Sequence, residues 1–242
     1  MQHILSNALS KILLTLTCLI VASCASTTQL SESLESEKYW WRVKFRFVWP
    51  QDTFPDFYYH AVVADQVLRP IIDAHKAELE LWRFHRRAAR DKAGHQFSFI
   101  FYTDKQMADV IHHKIESDKL ITAMVDNATI ESIHFTGAKT ANNSLLSATS
   151  DTSWPLEIQK SWPSFIMGTS QSWLDLIVQM RGDDNDIKQL ALNDLLTFYQ
   201  NLNSEVTTQW TQYGRHAYFH HINAVFGYQP VYIRETESLQ NF

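Results

Sequence analysis

The chain has 242 residues, 45% of them hydrophobic and 13% aromatic, with 21 Lys and Arg against 26 Asp and Glu. That content belongs to a folded globular protein, and a formal net charge of −5 offers nucleic acid no bulk attraction. The two cysteines, Cys18 and Cys24, both lie near the start, so the rest of the chain has no disulfide and no thiol nucleophile, and its stability must come from its core.

The first residues read as an export signal. Lys11 supplies a weak positive n-region, and Ile12 to Ala22 is apolar apart from Thr15, Thr17 and Cys18. This run is shorter than the ~20 residues a transmembrane helix needs and fits a signal h-region. It ends in Val21-Ala22-Ser23-Cys24, which resembles the lipobox of a bacterial lipoprotein. The alternative is an ordinary signal peptide cut at an Ala-x-Ala-like site. The resemblance implies removal of residues 1–23 and lipidation of Cys24, with membrane lipid as a partner through acyl chains such as palmitate. Each buried acyl CH₂ is worth ~0.8 kcal/mol, so several chains anchor durably. In Gram-negative lipoproteins, which this segment resembles, Ala25 rather than Asp after the lipidated Cys implies sorting to the outer membrane. Residues 24–37 hold the lipidated Cys and a Ser/Thr/Glu-rich stretch, Ala25 to Glu37. That stretch has too little apolar surface to fold alone and reads as a tether.

Residues 38–137 read as an α+β sheet region. Tyr39, Trp41, Val43, Phe45, Phe47 and Trp49 alternate with Arg42, Lys44 and Arg46, a period-2 strand with one buried face. Pro50 ends it. A helix opens at Asp56 and carries Tyr59, Val62, Val63, Val67 and Leu68, and Pro70 should kink it or start a second helix. Glu80 to Arg87 and His95 to Tyr102 form a hairpin, with Phe97, Phe99 and Phe101 alternating with Gln96, Ser98 and Ile100. Thr103 or Asp104 caps a helix carrying Met107, Val110, Ile111 and Ile115, and Thr129 to Thr136 is a further strand. Strand, helix, strand, strand, helix, strand is the order of the ferredoxin-like split βαβ arrangement, an antiparallel sheet with helices on one face.

Residues 138–242 read as a mainly helical region packed with the sheet as one unit. After a polar connection over Gly137 to Ser153 come helices over Pro163 to Gln179, Asp186 to Trp210 and His216 to Phe226, then a possible strand over Tyr228 to Arg234. These helices need the free face of the sheet, or the outside of its own helices, to pack on.

The chemistry concentrates on the sheet. Arg42, Lys44 and Arg46 share one alternation of the first strand, and Arg83, His85 and Arg87 share one of the second, with Gln96 and Ser98 on the third. If these faces coincide, the chain has a basic surface where arginine forks hold a carboxylate or phosphate. The competing reading pairs the cations internally with Asp91 or with acids of the C-terminal helices. Nucleic acid, which some sheets of this class bind through stacked aromatics, is at odds with an envelope location. His85, Asp91 and His95 are the candidate catalytic groups, since a His beside a carboxylate can exchange protons. No Gly-x-Ser-x-Gly, phosphate loop or dinucleotide fingerprint occurs, so no cofactor is expected. No metal is expected either. His216 and His220 make half a site, His112 and His113 diverge on a helix, and Asp183-Asp184-Asn185-Asp186 lacks the rest of a calcium loop and reads as a helix cap.

Three runs carry a wider resemblance: Trp82 to Tyr102, Trp162 to Gly168 and Trp173 to Ile177. They resemble a family of uncharacterised proteobacterial lipoproteins, over most of the chain after the signal. The resemblance implies an envelope location and carries no established activity or catalytic residues. A second likeness, confined to Leu68 to Tyr102, is to the C-terminal domain of lantibiotic-type dehydratases. There too a helix leads to an aromatic-Arg strand, an Asp-containing loop and a His-led strand. It is a likeness of pattern and carries over no elimination chemistry. The leading expectation is an outer-membrane lipoprotein that binds a protein partner or an anionic envelope ligand. The alternatives are an envelope enzyme using the hairpin residues on an anionic substrate, and a purely structural lipoprotein.

Overall fold

The structure, a computed structural model, describes residues 37–137 and 141–228. The signal segment, Cys24, most of the tether and all but the first residue of the strand expected over Tyr228 to Arg234 lie outside the described residues.

Strand β1 (Lys38–Phe47) buries Tyr39, Trp41, Val43, Phe45 and Phe47 on one face. It stops two residues short of Trp49 because Pro50 turns the chain. Trp49 leaves the pleat, donates its indole N–H to the Thr53 carbonyl at 2.9 Å and lies under the Arg90 guanidinium. Helix α1 runs through three segments, Tyr58–Val62, a wide π-turn segment Val63–Leu68, and Arg69–Ala74. Pro70 stands in the first turn of the third, where its missing N–H costs least, and the wide turns before it give room where a proline crowds the preceding carbonyl.

Strands β2 (Leu81–Ala88) and β3 (His95–Asp104) form the hairpin. Asp104 caps helix α2 (Lys105–Glu116) by accepting the Met107 N–H at 2.8 Å. Val110 of this helix is exposed, and Ala108 takes its expected place in the core beside Ile111 and Ile115. A separate helix α3 (Lys119–Asp126), capped by Asp118, precedes β4 (Ile130–Thr136). Its two turns are too short for the hydrophobic period to stand out in sequence.

The sheet order is β2-β3-β1-β4, antiparallel throughout. This is the strand order of the ferredoxin-like split βαβ arrangement in an α+β fold. One core cluster fills the helix-bearing face, where Phe45, Phe97 and Phe99 meet Leu68, Ile111, Met124, Leu174 and Tyr199.

Helix α4 (Leu156–Arg181) is longer than the expected Pro163 to Gln179 and holds Pro163 in its interior. A proline there leaves the carbonyl four residues back without its helical donor. That carbonyl, of Gln159, accepts the Ser150 hydroxyl at 2.7 Å, which pins the preceding connection to the helix. Ser170 of α4 accepts the Phe84 N–H at 3.0 Å, so the outer edge of β2 is covered by a helix and does not expose that donor.

Helix α5 (Leu192–Gln209) continues unbroken through a π-segment, Trp210–His220, into His221–Val225. The separate helix expected over His216 to Phe226 is therefore its continuation. Asp184–Ile187 forms a one-turn helix of its own, and α5 starts after the extended Ala191, so the acidic run does not cap it. The helical half packs against the helix-bearing side and along the β2 edge.

A buried charge joins these helices. Asp65, fully buried in the π-segment, lies 2.7 Å from Arg69 Nε and 2.8 Å from Arg181 Nε, and accepts hydrogen bonds from the Tyr199 hydroxyl and Gln66 Nε2. Burial, then the Asp65 charge, pushes the Tyr199 phenol well up.

Candidate functional site: the basic face of the sheet

Strand register brings the predicted cations together. Arg42 and Arg83 flank Ile100, Lys44 and His85 flank Ser98, and Arg46 and Arg87 flank Gln96. All six project from the face opposite the main core, since their neighbours along each strand are the buried aromatics. On β4, His134 stands beside Lys44 and Ser132 beside Arg46. Two strand spacings put the flanking residues about 10 Å apart at the backbone.

Among the described residues this face is crossed only at its upper end. There Trp40, Leu81, Ile100 and Tyr102 form a small apolar cluster with Met167 packed on it. Residues 141–150 strap this end. The Trp40 indole N–H points at the Leu145 and Leu146 carbonyls at 3.0 and 3.2 Å, the Tyr102 hydroxyl donates to the Ser144 carbonyl at 2.8 Å, and Arg83 Nη2 reaches the Thr149 carbonyl at 3.3 Å.

The cations differ in their partners. Arg46 pairs with Glu131 at 2.8 Å, Arg87 with Asp91, and Lys38 with Glu80 at 2.8 Å. The internal-pairing reading therefore holds for Arg46 and Arg87. It does not hold for Arg42, Lys44 and Arg83, which have no acid within ion-pair distance among the described residues. The Nε atoms of Arg42 and Arg83 are also buried without a hydrogen-bond partner. Two like charges ~10 Å apart at an effective dielectric of ~20 repel by about 1.7 kcal/mol. Among the described residues the fold supplies acids at the ends of this face and none at its middle.

The titration of the site reflects that excess. Burial, then Arg42, pulls Arg83 down to about 10, so it stays charged at neutral pH. Burial lowers Arg42 as well. His85 is held below its ordinary value by burial, then by Arg83, Arg42 and Arg87.

The candidate catalytic set does not converge. His95 pairs with Phe47 and Ala88 in register and points into the core, on the side opposite His85. It is 1% exposed, packed at tilted and edge-on angles among Phe47, Phe57 and His60, and neither ring nitrogen has a hydrogen-bond partner. Burial, then Arg86, lowers it to about 4. Asp91 is bound by Arg87 and by the Ala93 and Gly94 amides. Arg87 and those amides hold its carboxyl well below the usual carboxylate range. Gly94 turns the hairpin at φ +67°, a conformation glycine adopts without strain. A cleft of about 270 Å³ at this end of the sheet is lined by Arg46, Trp49, Arg90, Asp91, His95 and Glu131, among others, and excludes His85. Its charged groups are tied down, since Arg90 donates to the Trp49, Pro50 and Thr53 carbonyls.

Sequence reasoning missed Arg86 and His60. Arg86 lies on the core side, over the rings of Trp173 and Phe57 at 4.5 and 5.3 Å, and donates to His60 Nδ1 at 3.2 Å. Its place on the same alternation as Trp82 and Phe84 was the available signal. Burial pulls it down to about 10. His112 also turns inward, against Trp41, Phe101 and Phe135. His216, His220 and His221 lie ring to ring on the last helix. Among the described residues no group of three or more His, Cys, Asp or Glu side chains is arranged to hold a metal ion. Among the same residues no helix is long and apolar enough to cross a membrane. No family model, curated protein or solved structure matches the chain.

Proposed function

We propose that the protein is a lipid-anchored envelope lipoprotein that binds an anionic ligand on the open face of its sheet. The observation that carries the binding reading is the group Arg42, Lys44 and Arg83, three cations side by side without an acid among the described residues. Keeping like charges together is costly unless something negative joins them. The anchoring reading rests on Val21-Ala22-Ser23-Cys24 and on the resemblance to proteobacterial lipoproteins, and the outer membrane follows from Ala25. The enzyme alternative lacks support in the geometry, because His85, Asp91 and His95 lie apart.

The test uses the full chain, purified in detergent from membranes. Calorimetric titration with a panel of acetate, citrate, sulfate and phosphate should detect binding of at least one anion at low salt. The double variant Arg42→Gln/Arg83→Gln, shown by near-ultraviolet circular dichroism to keep its packed tryptophans, should lose it. Binding of none of the four overturns the anion reading. In cells, Cys24→Ala should abolish acylation, and an unchanged lipid label on that variant overturns the anchoring reading.

A further inference from the structure

We infer that the ligand of this face is a phosphate-type oxyanion, a phosphomonoester group or phosphate itself, held by Arg42, Lys44 and Arg83 above Ser98. The inference rests on the anion-binding reading and narrows it to one chemical class.

The first argument is the number and placement of the cations. A carboxylate carries one negative charge, and the lone pairs of its two oxygens lie in one plane. Here three cations approach from two sides. Arg42 and Lys44 come from β1, and Arg83 comes from β2 across the intervening β3. A tetrahedral group with three acceptor oxygens and a charge near −2 can meet donors from several directions at once. A single carboxylate, with one negative charge, balances fewer of these cations.

The second argument is the floor. Ser98 is buried at 4% exposure between Lys44 and His85, and Ile100 next to it is sealed within the apolar cluster under Met167. A low, mostly apolar floor excludes water from beneath the ligand, which strengthens each charged hydrogen bond above it. Ser98 places one hydroxyl between Lys44 and His85 in register, and a hydroxyl can donate to a phosphate oxygen.

The third argument is the boundary. Toward the hairpin tip, Arg46 and Arg87 are neutralised by Glu131 and Asp91, and their carboxylates repel an anion from that end. Toward the other end, the strap closes over Trp40 and Tyr102 and takes one arm of Arg83 at Thr149. The middle of the face is left, where Arg42 and Lys44 have no acid among the described residues and the Arg42 and Arg83 Nε atoms are buried without a hydrogen-bond partner. His85 borders this place and is held below its ordinary value by burial, then by Arg83, Arg42 and Arg87.

Phosphate chemistry can come from the headgroup of a lipid or from a soluble phosphate, and the two are separable. The full chain in detergent is titrated with inorganic phosphate, with short-chain phosphatidic acid, and with acetate and citrate as carboxylates, at one ionic strength. The expected result is that at least one phosphate ligand binds tenfold or more tighter than either carboxylate. A tenfold or greater loss should follow from Arg42→Gln, Lys44→Gln or Arg83→Gln taken singly. Arg83→Lys should bind at an intermediate level, since it keeps charge but not the fork. Lys114→Gln, an exposed cation on α2, should bind as the parent does. Tighter binding of the lipid assigns the headgroup as source, and equal or tighter binding of inorganic phosphate assigns the soluble ion. Carboxylates bound as tightly as both phosphates overturn the inference and leave the general anion reading standing. If none of these ligands binds, both fall. Phosphate binding undiminished in all three single variants places the site elsewhere and overturns the inference. Any variant that loses its near-ultraviolet signal is set aside in favour of the other two.

Discussion

Asp65→Asn removes one charge and almost no volume from the middle of the helical layer. Asp65 is fully buried, and Arg181, its partner at 2.8 Å, keeps only 3% of its side chain exposed. Arg69 adds a second contact at 2.7 Å with 20% exposure, and Tyr199 donates its hydroxyl to the same carboxylate. Water cannot replace a carboxylate at such a place, so breaking one member of a buried pair costs about 3–5 kcal/mol. Set against a total stability of about 5–15 kcal/mol, that is a large share. For a domain of this size each kcal/mol moves the melting temperature by about 2–4 °C, so a drop of roughly 6–20 °C is expected. The assay is urea unfolding of the full chain in detergent, followed by tryptophan fluorescence, with thermal melts alongside. The control is Asp109→Asn, the same chemical change at a carboxylate paired with Lys105 where both side chains are more than half exposed. It should lose no more than about 1 kcal/mol. Equal losses for the two variants, or a loss below about 1 kcal/mol for Asp65→Asn, would refute the claim that this buried charge joins α1, α4 and α5.

Two further outcomes follow from the same structure. His95 sits at about 4 against an ordinary value of 6.5, so the unfolded chain takes up a proton that the folded one refuses. Its contribution is complete above pH 6.5 and is lost as pH falls towards 4, an amount of about 3 kcal/mol by proton linkage. Stability measured from pH 7 to 4 should fall, and His95→Phe should flatten that fall; an unchanged slope in the variant removes His95 as the cause. Ser170→Ala strips the acceptor from the Phe84 amide at the β2 edge, and an unpaired buried donor costs about 1–3 kcal/mol. Amide exchange at Phe84 should speed up by at least tenfold, and unchanged protection there would mean that α4 does not seal the edge through this serine.

The legible part of the site was its periodicity. Alternation along β1 separated Arg42, Lys44 and Arg46 from the aromatics, and along β2 it separated Arg83, His85 and Arg87 from Trp82 and Phe84. It also put Arg86 on the inner side, on the alternation of Trp82 and Phe84. His95 was misplaced. Its closeness to Asp91 in sequence suggested a proton-exchanging pair, but its register against Phe47 turns it into the core.

By itself the sequence determined the order of the four strands and of the helices α1 and α2 among them, because side-chain period and proline positions are local properties. It also determined that two sets of cations each share one side of a strand. Only the tertiary structure decided that these sides are one face, since that depends on the register of β1 and β2 against β3. It alone decided which cations stay uncompensated. The acids that neutralise Arg46 and Arg87 come from β4 and the hairpin loop, and a charge's partner is set by distance in space rather than along the chain.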